Sequence, residues 1–323
     1  MRGPRRIHLL VTCTNRKRQP PHPELTIRAA TDTSDGRPWE EWRRRLETID
    51  APVLAAQDLY VGPHWHVARG LAAAYRDDPQ ISLWVCSAGY GLIRPEAGIK
   101  PYSAVFTPGS EDSVSRLLDV RDNADAVRRW WEGLAEWPGP HPNGPRRVAD
   151  LARLDPDSVV IVALSPSYLA ACRDDLAEAY ATLGNSDRLL LVCPGANNDS
   201  RTPGPDPLPI DGRAAGFLGG TMGTLGARFV RHLIGTYSWN DLRASHLRPQ
   251  LEQWLTTLTP RRVPIRARHD DSEVAEFIRE RLIADLGSSA TGLLREFRGL
   301  GEACEQKRFH AIYSDVKGEI DVG

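Results

Sequence analysis

The amino-acid sequence predicts an α/β protein with a three-layer domain around a mainly parallel central sheet, followed by a small helical, helix-turn-helix-like domain. Continuous apolar runs, without the polar alternation of a half-exposed strand, are typical of strands covered on both faces. These runs alternate with segments of helical periodicity, which is the pattern of an α/β fold. After about residue 240 only helical patterns remain. We therefore predict an α/β domain over residues 1–240 and a helical domain over residues 241–323.

Four apolar runs predict the parallel strands of the first domain. They are IHLLVTC (7–13), ISLWVCSA (81–88), SVVIVALS (158–165) and RLLLVCP (188–194). Amphipathic stretches between them predict helices, among them WEEWRRRLETI, PHWHVARGLAAAYRD and YLAACRDDLAEAYATLG. Two segments rich in proline and glycine, residues 137–147 and 194–213, predict loops. The second is long, and loops of such length are usually functional or disordered.

The predicted C-terminal domain begins with two amphipathic segments, LRPQLEQWLTTL and SEVAEFIRERLIADLG. Two further helices are predicted at about 290–299 and 302–314, on either side of the sequence Gly-Leu-Gly. A short turn that contains glycine between two helices is typical of the helix-turn-helix motif.

The charge of the chain gives no global sign of nucleic-acid binding, since the formal net charge is -1. Any surface that binds nucleic acid must therefore be local. The last predicted helix carries Gln306, Lys307 and Arg308, which are side chains of the kind that reach base edges or phosphates. Together with Arg295 they predict a DNA-binding surface. The alternative is that these helices form a structural cap.

The composition argues against several classes of protein. Five cysteines without regular spacing do not suit a disulfide framework, and neither the cysteines nor the histidines have zinc-binding spacing. The first apolar run is too short for a signal peptide, and no segment reaches the roughly 20 apolar residues of a membrane span. We therefore expect a cytoplasmic protein with no metal, no cofactor and no membrane partner, and the oligomeric state stays open.

Small polar residues follow three of the predicted strands. Thr12, Thr14, Asn15 and Lys17 follow the first strand, Ser87 and Tyr90 the second, and Ser165 and Ser167 the third. Ligands of open α/β sheets bind beyond the carboxyl ends of the strands, so these residues together predict one cleft. The alternative is that serine and threonine only cap the helices that follow, which is the favoured interpretation for the third strand taken alone.

Asp58 lies in an otherwise apolar and aromatic stretch, AAQDLYVGPHWH (55–66). Burial beside Leu59, Tyr60 and Trp65 would raise the pKa of this carboxyl group. Such a group can activate a water or stabilise a developing cation. A helix cap or an ion pair with an arginine is an equally open interpretation.

The glycine-rich segment FLGGTMGTLGARFVRHLI (217–234) opens an apolar helix. Free amides at a helix N-terminus bind anions, and glycine lets a phosphate approach the backbone. Gly219, Gly220, Thr221 and Gly223 are therefore predicted to contact a phosphate, with tight backbone packing as the alternative. The segment lacks the Gly-Lys-Ser/Thr sequence of a nucleotide triphosphate site.

Several motifs resemble those of an uncharacterised bacterial domain family. They are LLVTCTNRKR, AAQDLYVGPHW, CSAGYGLIRPEAGIKPYSAVF and GGTMGTLGARF, and they lie between residues 7 and 235. That family is related to base-processing proteins that are similar to tRNA-guanine transglycosylase, archaeosine synthase and uracil-DNA glycosylase. Two positions depart from its pattern: a lysine of the family is Gly89 here, and a serine is Gly62. The motifs of true uracil glycosylases are not found in the sequence.

The resemblance implies a DNA N-glycosylase that receives a modified base, flipped out of the duplex, in the α/β domain. We expect Tyr60, Tyr90 or Tyr102 to stack on this base. Asn15 is expected to read its polar edge, and Asp58 to position water or stabilise the oxocarbenium-like sugar. The pocket is predicted to be lined by Ser87, Gly89, Tyr90, Glu96, Lys100, Tyr102, Ser165 and Ser167.

The two glycines that replace larger residues, Gly62 and Gly89, predict a roomy pocket suited to an enlarged base. Glucosylated hydroxymethylcytosine in phage DNA is one such base, and its excision would be an antiviral defence. Lys100 offers a variant in which its amine forms a Schiff base with the sugar, and a surface position is the alternative for this lysine. Two other functions stay open: base exchange on tRNA or DNA, and a non-catalytic DNA-binding regulator that senses a nucleotide.

Overall fold

The structure is a computed structural model that describes residues 6–30, 37–75, 78, 80–118, 122–141, 143–196, 204–259 and 267–322. Its contacts divide the chain into two compact units, Met1–Pro260 and Arg261–Gly323. The boundary therefore lies after Pro260 and not after residue 240, where the sequence pattern placed it. The reason is the helix Ala244–Thr257, whose three leucines are buried in the apolar core of the first unit.

The first unit begins with β1 (Ile7–Thr12), α1 (Pro38–Thr48), β2 (Leu54–Ala55), α2 (Ala56–Leu59), α3 (Pro63–Ala74), β3 (Ile81–Ser87), β4 (Gly91–Ile93) and β5 (Gly98–Ile99). It continues with α4 (Asn123–Ala135), α5 (Val148–Leu154), β6 (Val159–Ala163), α6 (Pro166–Thr182), β7 (Leu189–Val192), α7 (Gly212–Leu218), α8 (Met222–Thr236) and α9 (Ala244–Thr257).

Five of these strands form one sheet, in the order β4-β3-β1-β6-β7. Strands β1, β3, β6 and β7 run parallel, and β4 returns antiparallel to β3. In the register of the sheet, Val11 lies between Val85 and Ala163. Every residue of β1, β6 and β7 is buried, as the continuous apolar runs predicted. A mixed α/β fold with a mainly parallel central sheet is thus confirmed.

Strand β1 is the point at which the chain changes direction across the sheet. From β1 the chain passes to β3 on one side, and later to β6 on the other side. The crevice between the carboxyl ends of β1 and β6 is therefore the topological switch point of the sheet. Ligands of open α/β sheets bind at such a point.

The helices of the first unit form two packed groups. In one group α6 contacts both α4 and α5, and α4 also contacts α1. In the other group α8 contacts α3 and α7 and reaches strands β6 and β7. Large aromatic side chains fill the core, and the indoles of Trp42, Trp65, Trp130 and Trp131 are all fully buried.

The second unit consists of β8 (Ala267–Arg268), α10 (Asp271–Ala284), α11 (Ala290–Gly299), β9 (Glu302–Ala303) and α12 (Gln306–Val322). Strands β8 and β9 pair in parallel. The unit has an apolar core of its own, which includes Val274, Ile278, Leu282, Leu293, Leu294, Phe297 and Phe309. The helix predicted from residue 302 begins at Gln306 instead, because residues 302–303 form β9. In the parts of the chain that the structure describes, no helix is long and apolar enough to cross a lipid bilayer.

Candidate functional site

A cavity of about 250 Å³ opens at the switch point of the sheet. It is lined by Thr12, His64, Ala163, Leu164, Ser165, Pro166, Pro194, Met222, Gly223 and Gly226. These residues lie at or just beyond the carboxyl ends of β1, β6 and β7 and in the first turns of α3, α6 and α8. We call this space the strand-end cavity.

Three of the described helices begin at the strand-end cavity. Helix α3 contributes its second residue, His64, while α6 contributes its first, Pro166. Helix α8 contributes its first two residues, Met222 and Gly223. The first N–H groups of a helix have no partner within the helix, and the helix dipole places partial positive charge there. Three such ends around one cavity favour an anionic ligand such as a phosphate.

His64 is the titratable side chain in the lining of this cavity. Its Nε2 lies 3.2 Å from Oγ1 of Thr12 and 3.1 Å from the carbonyl oxygen of the same residue. Burial lowers the pKa of His64, although hydrogen bonds to the backbone of Thr12 and Gly223 act in the opposite direction. The imidazole is therefore neutral near pH 7 and can donate one hydrogen bond without carrying charge.

The glycine-rich segment forms the turn before α8 and the first turns of that helix. Thr221 is the N-cap residue, and its backbone N–H donates to Oγ1 of Thr224 at 3.1 Å. Of the four residues predicted to contact a phosphate, Gly223 lines the cavity, while Gly219, Gly220 and Thr221 form the preceding turn. Gly220 has φ +87°, and a Cβ there would lie 2.5 Å from Oγ1 of Thr224. Tight backbone packing therefore accounts for Gly220.

A second group of polar side chains lies at the same edge of the sheet but is closed. The hydroxyl of Tyr60 donates to Oγ of Ser87 at 3.2 Å, and the Tyr102 hydroxyl lies 2.8 Å from Ser87 Oγ and 3.0 Å from that of Tyr60. The Sγ atom of Cys13 lies 3.4 Å from the hydroxyl of Tyr102 and 3.0 Å from that of Tyr168. We call these five residues the tyrosine cluster. Burial raises the pKa of its three phenols, which therefore stay protonated.

Lys17 places its amine against the tyrosine cluster. Its Nζ lies 4.1 Å from the centre of the Tyr102 ring and is buried, without a hydrogen-bond partner among the described residues. Burial lowers the pKa of this amine to about 8. The backbone of Lys17 forms an antiparallel bridge with Tyr60, which holds the residue beside α2.

The structure thus divides the strand-end residues that the sequence placed in one cleft. Ser165 lines the cavity, and its Oγ lies 3.1 Å from that of Ser167. Tyr60, Ser87 and Tyr102 belong to the tyrosine cluster instead. Because the rings of Tyr60 and Tyr102 are buried, their faces are covered by protein and do not reach a base in this structure.

Tyr90 and Lys100 bind the backbone and not a pocket. The Tyr90 hydroxyl, which is buried, accepts from the backbone N–H of Lys100 at 2.9 Å. The amine of Lys100 donates to the carbonyl oxygen of Ile49 at 2.6 Å. The amine of Lys100 therefore already has a hydrogen-bond partner, which disfavours the Schiff-base role considered for this lysine.

Packing and backbone geometry account for the two glycines that predicted a roomy pocket. A Cβ on Gly89 would lie 2.5 Å from Cε2 of Tyr102, so the ring of this tyrosine fills the space. The Gly89 carbonyl also accepts from the indole of Trp42 at 2.8 Å. Gly62 has φ +110°, a conformation that residues with a side chain rarely adopt. The prediction that Gly89 widens a pocket is wrong, because a buried ring packs against it.

Three predicted residues lie at the surface. Asn15 and Asp58 are exposed, and the expected burial of Asp58 is wrong. In the single turn of α2, Ala56 and Leu59 face the core, and Asp58 lies on the side turned to solvent. Glu96 is also exposed, and it borders a separate cavity of about 170 Å³.

The second unit has a groove of about 500 Å³ lined by Arg268, His269, Arg298, Ala303, Cys304, Glu305 and Arg308. Arg308 also forms an ion pair with Asp271. Arg295 and Gln306 are exposed and are not among the lining residues. The side chain of Lys307 lies outside the described residues.

Sequence reasoning missed His64 and gave Lys17 no catalytic role. A signal for His64 was present, because it is the second residue of a helix that begins at Gly62-Pro63. No comparable signal marks Lys17, because its burial depends on a tyrosine that lies far along the chain.

Comparison with known proteins found no family model, no curated protein and no solved structure that matches this chain. The family resemblance of the four motifs stays a prediction. In the described ranges, no group of three or more histidine, cysteine, aspartate or glutamate side chains is placed to hold a metal ion.

Proposed function

We propose that the protein is a DNA N-glycosylase that holds a phosphate of its target nucleotide in the strand-end cavity. The observation that carries this proposal is the convergence of three helix N-termini on one cavity at the switch point of the sheet. We expect an anionic group there to be stabilised by three helix dipoles and by the first amides of these helices, apart from Pro63 and Pro166, which have no N–H. A nucleotide unit of DNA supplies such a group.

The size of the cavity indicates which part of the nucleotide it holds. Pockets for drug-sized ligands have volumes of roughly 300–1,000 Å³, and the strand-end cavity has about 250 Å³. It therefore suits a phosphate with part of its sugar better than a whole modified nucleotide. In this proposal the base lies at the mouth of the cavity, beside Met222, which is 41% exposed.

His64 is the residue we assign to the departing base. When the N-glycosidic bond breaks, negative charge develops on the base. A neutral imidazole that exchanges its bond to the Thr12 carbonyl for one to the base can donate to this charge. A neutral histidine near a helix N-terminus performs a similar task in triosephosphate isomerase. The low pKa of His64, caused by burial, supports this role.

The second unit is assigned to DNA binding. Its groove presents the guanidinium groups of Arg268, Arg298 and Arg308, and such groups bind phosphate oxygens. Arg268 is exposed, while Arg308 forms an ion pair with Asp271. The prediction that α11 and α12, between which β9 lies, act as a helix-turn-helix-like DNA-binding motif belongs to the same proposal.

The test is incubation of the purified chain with DNA duplexes that differ only in one cytosine: unmodified, hydroxymethylated, or glucosylated on the hydroxymethyl group. Mass spectrometry measures the released base, and an aldehyde probe measures abasic sites. We expect release from one of the modified duplexes. Absence of release from every duplex contradicts the glycosylase, and incorporation of a labelled free base would indicate base exchange instead.

Two histidines of the same helix make a matched pair of variants. We expect His64→Gln to lower the rate of base release, because the donor to the leaving base is changed. His66→Gln should leave the rate unchanged, because His66 is exposed on α3 and lies outside the cavity lining. Equal rates in both variants would contradict the role of His64.

A further inference from the structure

The amine of Lys17 is buried from water and has no hydrogen-bond acceptor among the residues that the structure describes. Its Nζ rests 4.1 Å above the Tyr102 ring and 6.0 Å from the centre of the Tyr60 ring. The neighbouring hydroxyls already bind Ser87, Cys13 and one another. An ammonium group has three donors to satisfy, and burial without acceptors disfavours it. Such a place raises the fraction of the neutral amine, which is the nucleophilic form, above that of an exposed lysine.

The other lysines of the chain are in different surroundings. The sequence contains only four, which are Lys17, Lys100, Lys307 and Lys317. Lys100 donates to a backbone carbonyl, and the amine of Lys317 lies 5.8 Å from the ring of Tyr313 in the second unit. Of the amines whose position is described, that of Lys17 is the one that is buried without a partner.

The tyrosine cluster, against which the amine of Lys17 lies, adjoins the strand-end cavity. Thr12 lines the cavity, and the next residue, Cys13, belongs to the tyrosine cluster. In the same way Pro166 lines the cavity, and Tyr168 of the same helical turn bonds to Cys13. The cluster and the cavity therefore share the end of β1 and the first turn of α6. Lys17 as a whole is half-exposed while its Nζ is buried, and we expect rotation about the side-chain bonds to bring the amine out.

We propose that Lys17 is the nucleophile of this protein, an amine that forms a covalent imine with C1′ of a deoxyribose held at the strand-end cavity. The inference rests on the proposed function for the identity of the sugar. It makes the protein a glycosylase that also cleaves the DNA strand.

The reaction balances without an oxidant or a reductant. The lone pair of the Lys17 amine forms a bond to C1′, and the bond between C1′ and the base breaks with its electron pair on the base, which takes up a proton. Opening of the sugar ring, with a proton transferred from nitrogen to the ring oxygen, gives the imine. Loss of a proton from C2′ then expels the 3′ phosphate and breaks the strand. Water finally hydrolyses the imine and returns the amine of Lys17.

The test uses a duplex that already contains an abasic deoxyribose, with sodium cyanoborohydride to reduce any imine to a stable amine. We expect a covalent complex of one chain with one DNA strand, and peptide mass spectrometry should locate the adduct on Lys17. The yield should rise with pH and level off above about pH 8, the pKa of Lys17. An adduct on Lys100, on another lysine or on the terminal amine would overturn the proposal.

Three variants complete the experiment. Lys17→Met and Lys17→Arg should both lose the adduct. Because arginine keeps the positive charge at this position, its loss of the adduct would show that charge alone does not produce the adduct. Lys100→Met should keep it. Should a Lys17 variant fail to fold, the position of the adduct in the wild-type chain still decides the question.

Failure of this inference and failure of the proposed function give different results. Base release without a trapped complex leaves the glycosylase in place and shows that water, not Lys17, attacks the sugar. The opposite result is a complex trapped on Lys17 with the abasic duplex but no base release from any DNA. It would support the proposed chemistry of the Lys17 amine and contradict the glycosylase.

Discussion

The strand-end cavity and the tyrosine cluster lie at the same edge of one sheet, yet one is open and the other is filled. The cavity is lined by small residues such as Gly223, Gly226 and Ser165, which leave about 250 Å³ of space. In the cluster, the rings of Tyr60 and Tyr102 are fully buried and their hydroxyls bond to each other. The difference shows that the end of this sheet leaves open space where the side chains beyond the strands are small.

The two regions also treat polar groups differently. Three helices begin at the cavity, and the first amides of a helix have no partner within that helix, whereas the cluster satisfies its hydroxyls internally. A fully satisfied buried network makes its surroundings rigid, and an unsatisfied group within it is costly. Lys17 is the group at the cluster that stands out in this respect, because its amine has no partner among the described residues.

The largest effect on stability is expected from a methyl group added at Gly89, against the filled tyrosine cluster. Gly89→Ala would place a Cβ 2.5 Å from the ring of Tyr102, and this ring is enclosed on all sides. Overpacking of this kind typically costs 1–3 kcal/mol, and we expect about 3 kcal/mol or more here. The free energy of unfolding in urea measures it.

The matched control adds the same methyl group in the cavity. A Cβ on Gly226 would meet Ala163 and Pro194 at 3.7 Å, which is ordinary contact. Because alanine is preferred to glycine within a helix, Gly226→Ala should be stable or gain about 0.5–1 kcal/mol. Equal losses of stability in the two variants would contradict the distinction between a filled and an open region.

The sheet could be predicted from the sequence, because its determinant is local. Runs such as SVVIVALS predict a strand buried on both faces, and β6 is such a strand. Polar residues at three strand ends lie at one edge of the sheet, but not in the single cleft that the sequence predicted. Their position at this edge depends only on the parallel direction of the strands.

The division of these residues into two regions could not be predicted, because it depends on contacts between distant segments. Gly89 is a spacer in the sequence, and only the ring of Tyr102 shows that its missing side chain leaves no space. Asp58 has apolar neighbours along the chain, but it lies on the solvent side of a one-turn helix. The partnerless amine of Lys17 is likewise a property of the tertiary structure.

A substitution at Lys17 should change the free energy of unfolding in the opposite direction to the substitution at Gly89. Burial lowers the pKa of Lys17 from 10.5 to about 8. One pKa unit corresponds to about 1.4 kcal/mol, so the charged amine costs the folded state about 3 kcal/mol below pH 8. Methionine has a similar shape and no charge. Lys17→Met is therefore expected to unfold at a higher urea concentration than the wild type at pH 7.

The pH dependence identifies the cause of this gain. Between pH 8 and 10.5 the unfolded wild-type chain binds more protons at Lys17 than the folded chain does, so wild-type stability rises with pH. The variant lacks this titration, and its advantage should shrink as the pH approaches 10. Lys100→Met removes a bonded amine and should bring no gain at either pH. If Lys17→Met were more stable than the wild type by the same amount at pH 7 and at pH 10, the gain could not come from removal of the titrating Lys17 amine.

The smallest of the three effects concerns the anion preference of the cavity. Gly223→Asp would place a carboxylate at the second residue of α8, where a Cβ would meet Oγ1 of Thr221 at 3.8 Å. An acidic residue in the first turn stabilises a helix by about 0.3–1 kcal/mol. The same charge repels a phosphate. We expect binding of deoxycytidine monophosphate to weaken by about 100-fold, or about 2.7 kcal/mol, in calorimetric titration.

Gly223→Asn separates charge from size in this experiment, because asparagine has nearly the shape of aspartate without its charge. If the helix N-termini attract the phosphate electrostatically, the asparagine variant should bind the nucleotide within a few-fold of the wild type. An equal loss in both variants would mean that Gly223 matters for space alone. Unchanged binding in the aspartate variant would place the phosphate elsewhere. Because aspartate should raise the thermal stability of α8 while it lowers affinity, loss of binding cannot be confused with loss of the fold.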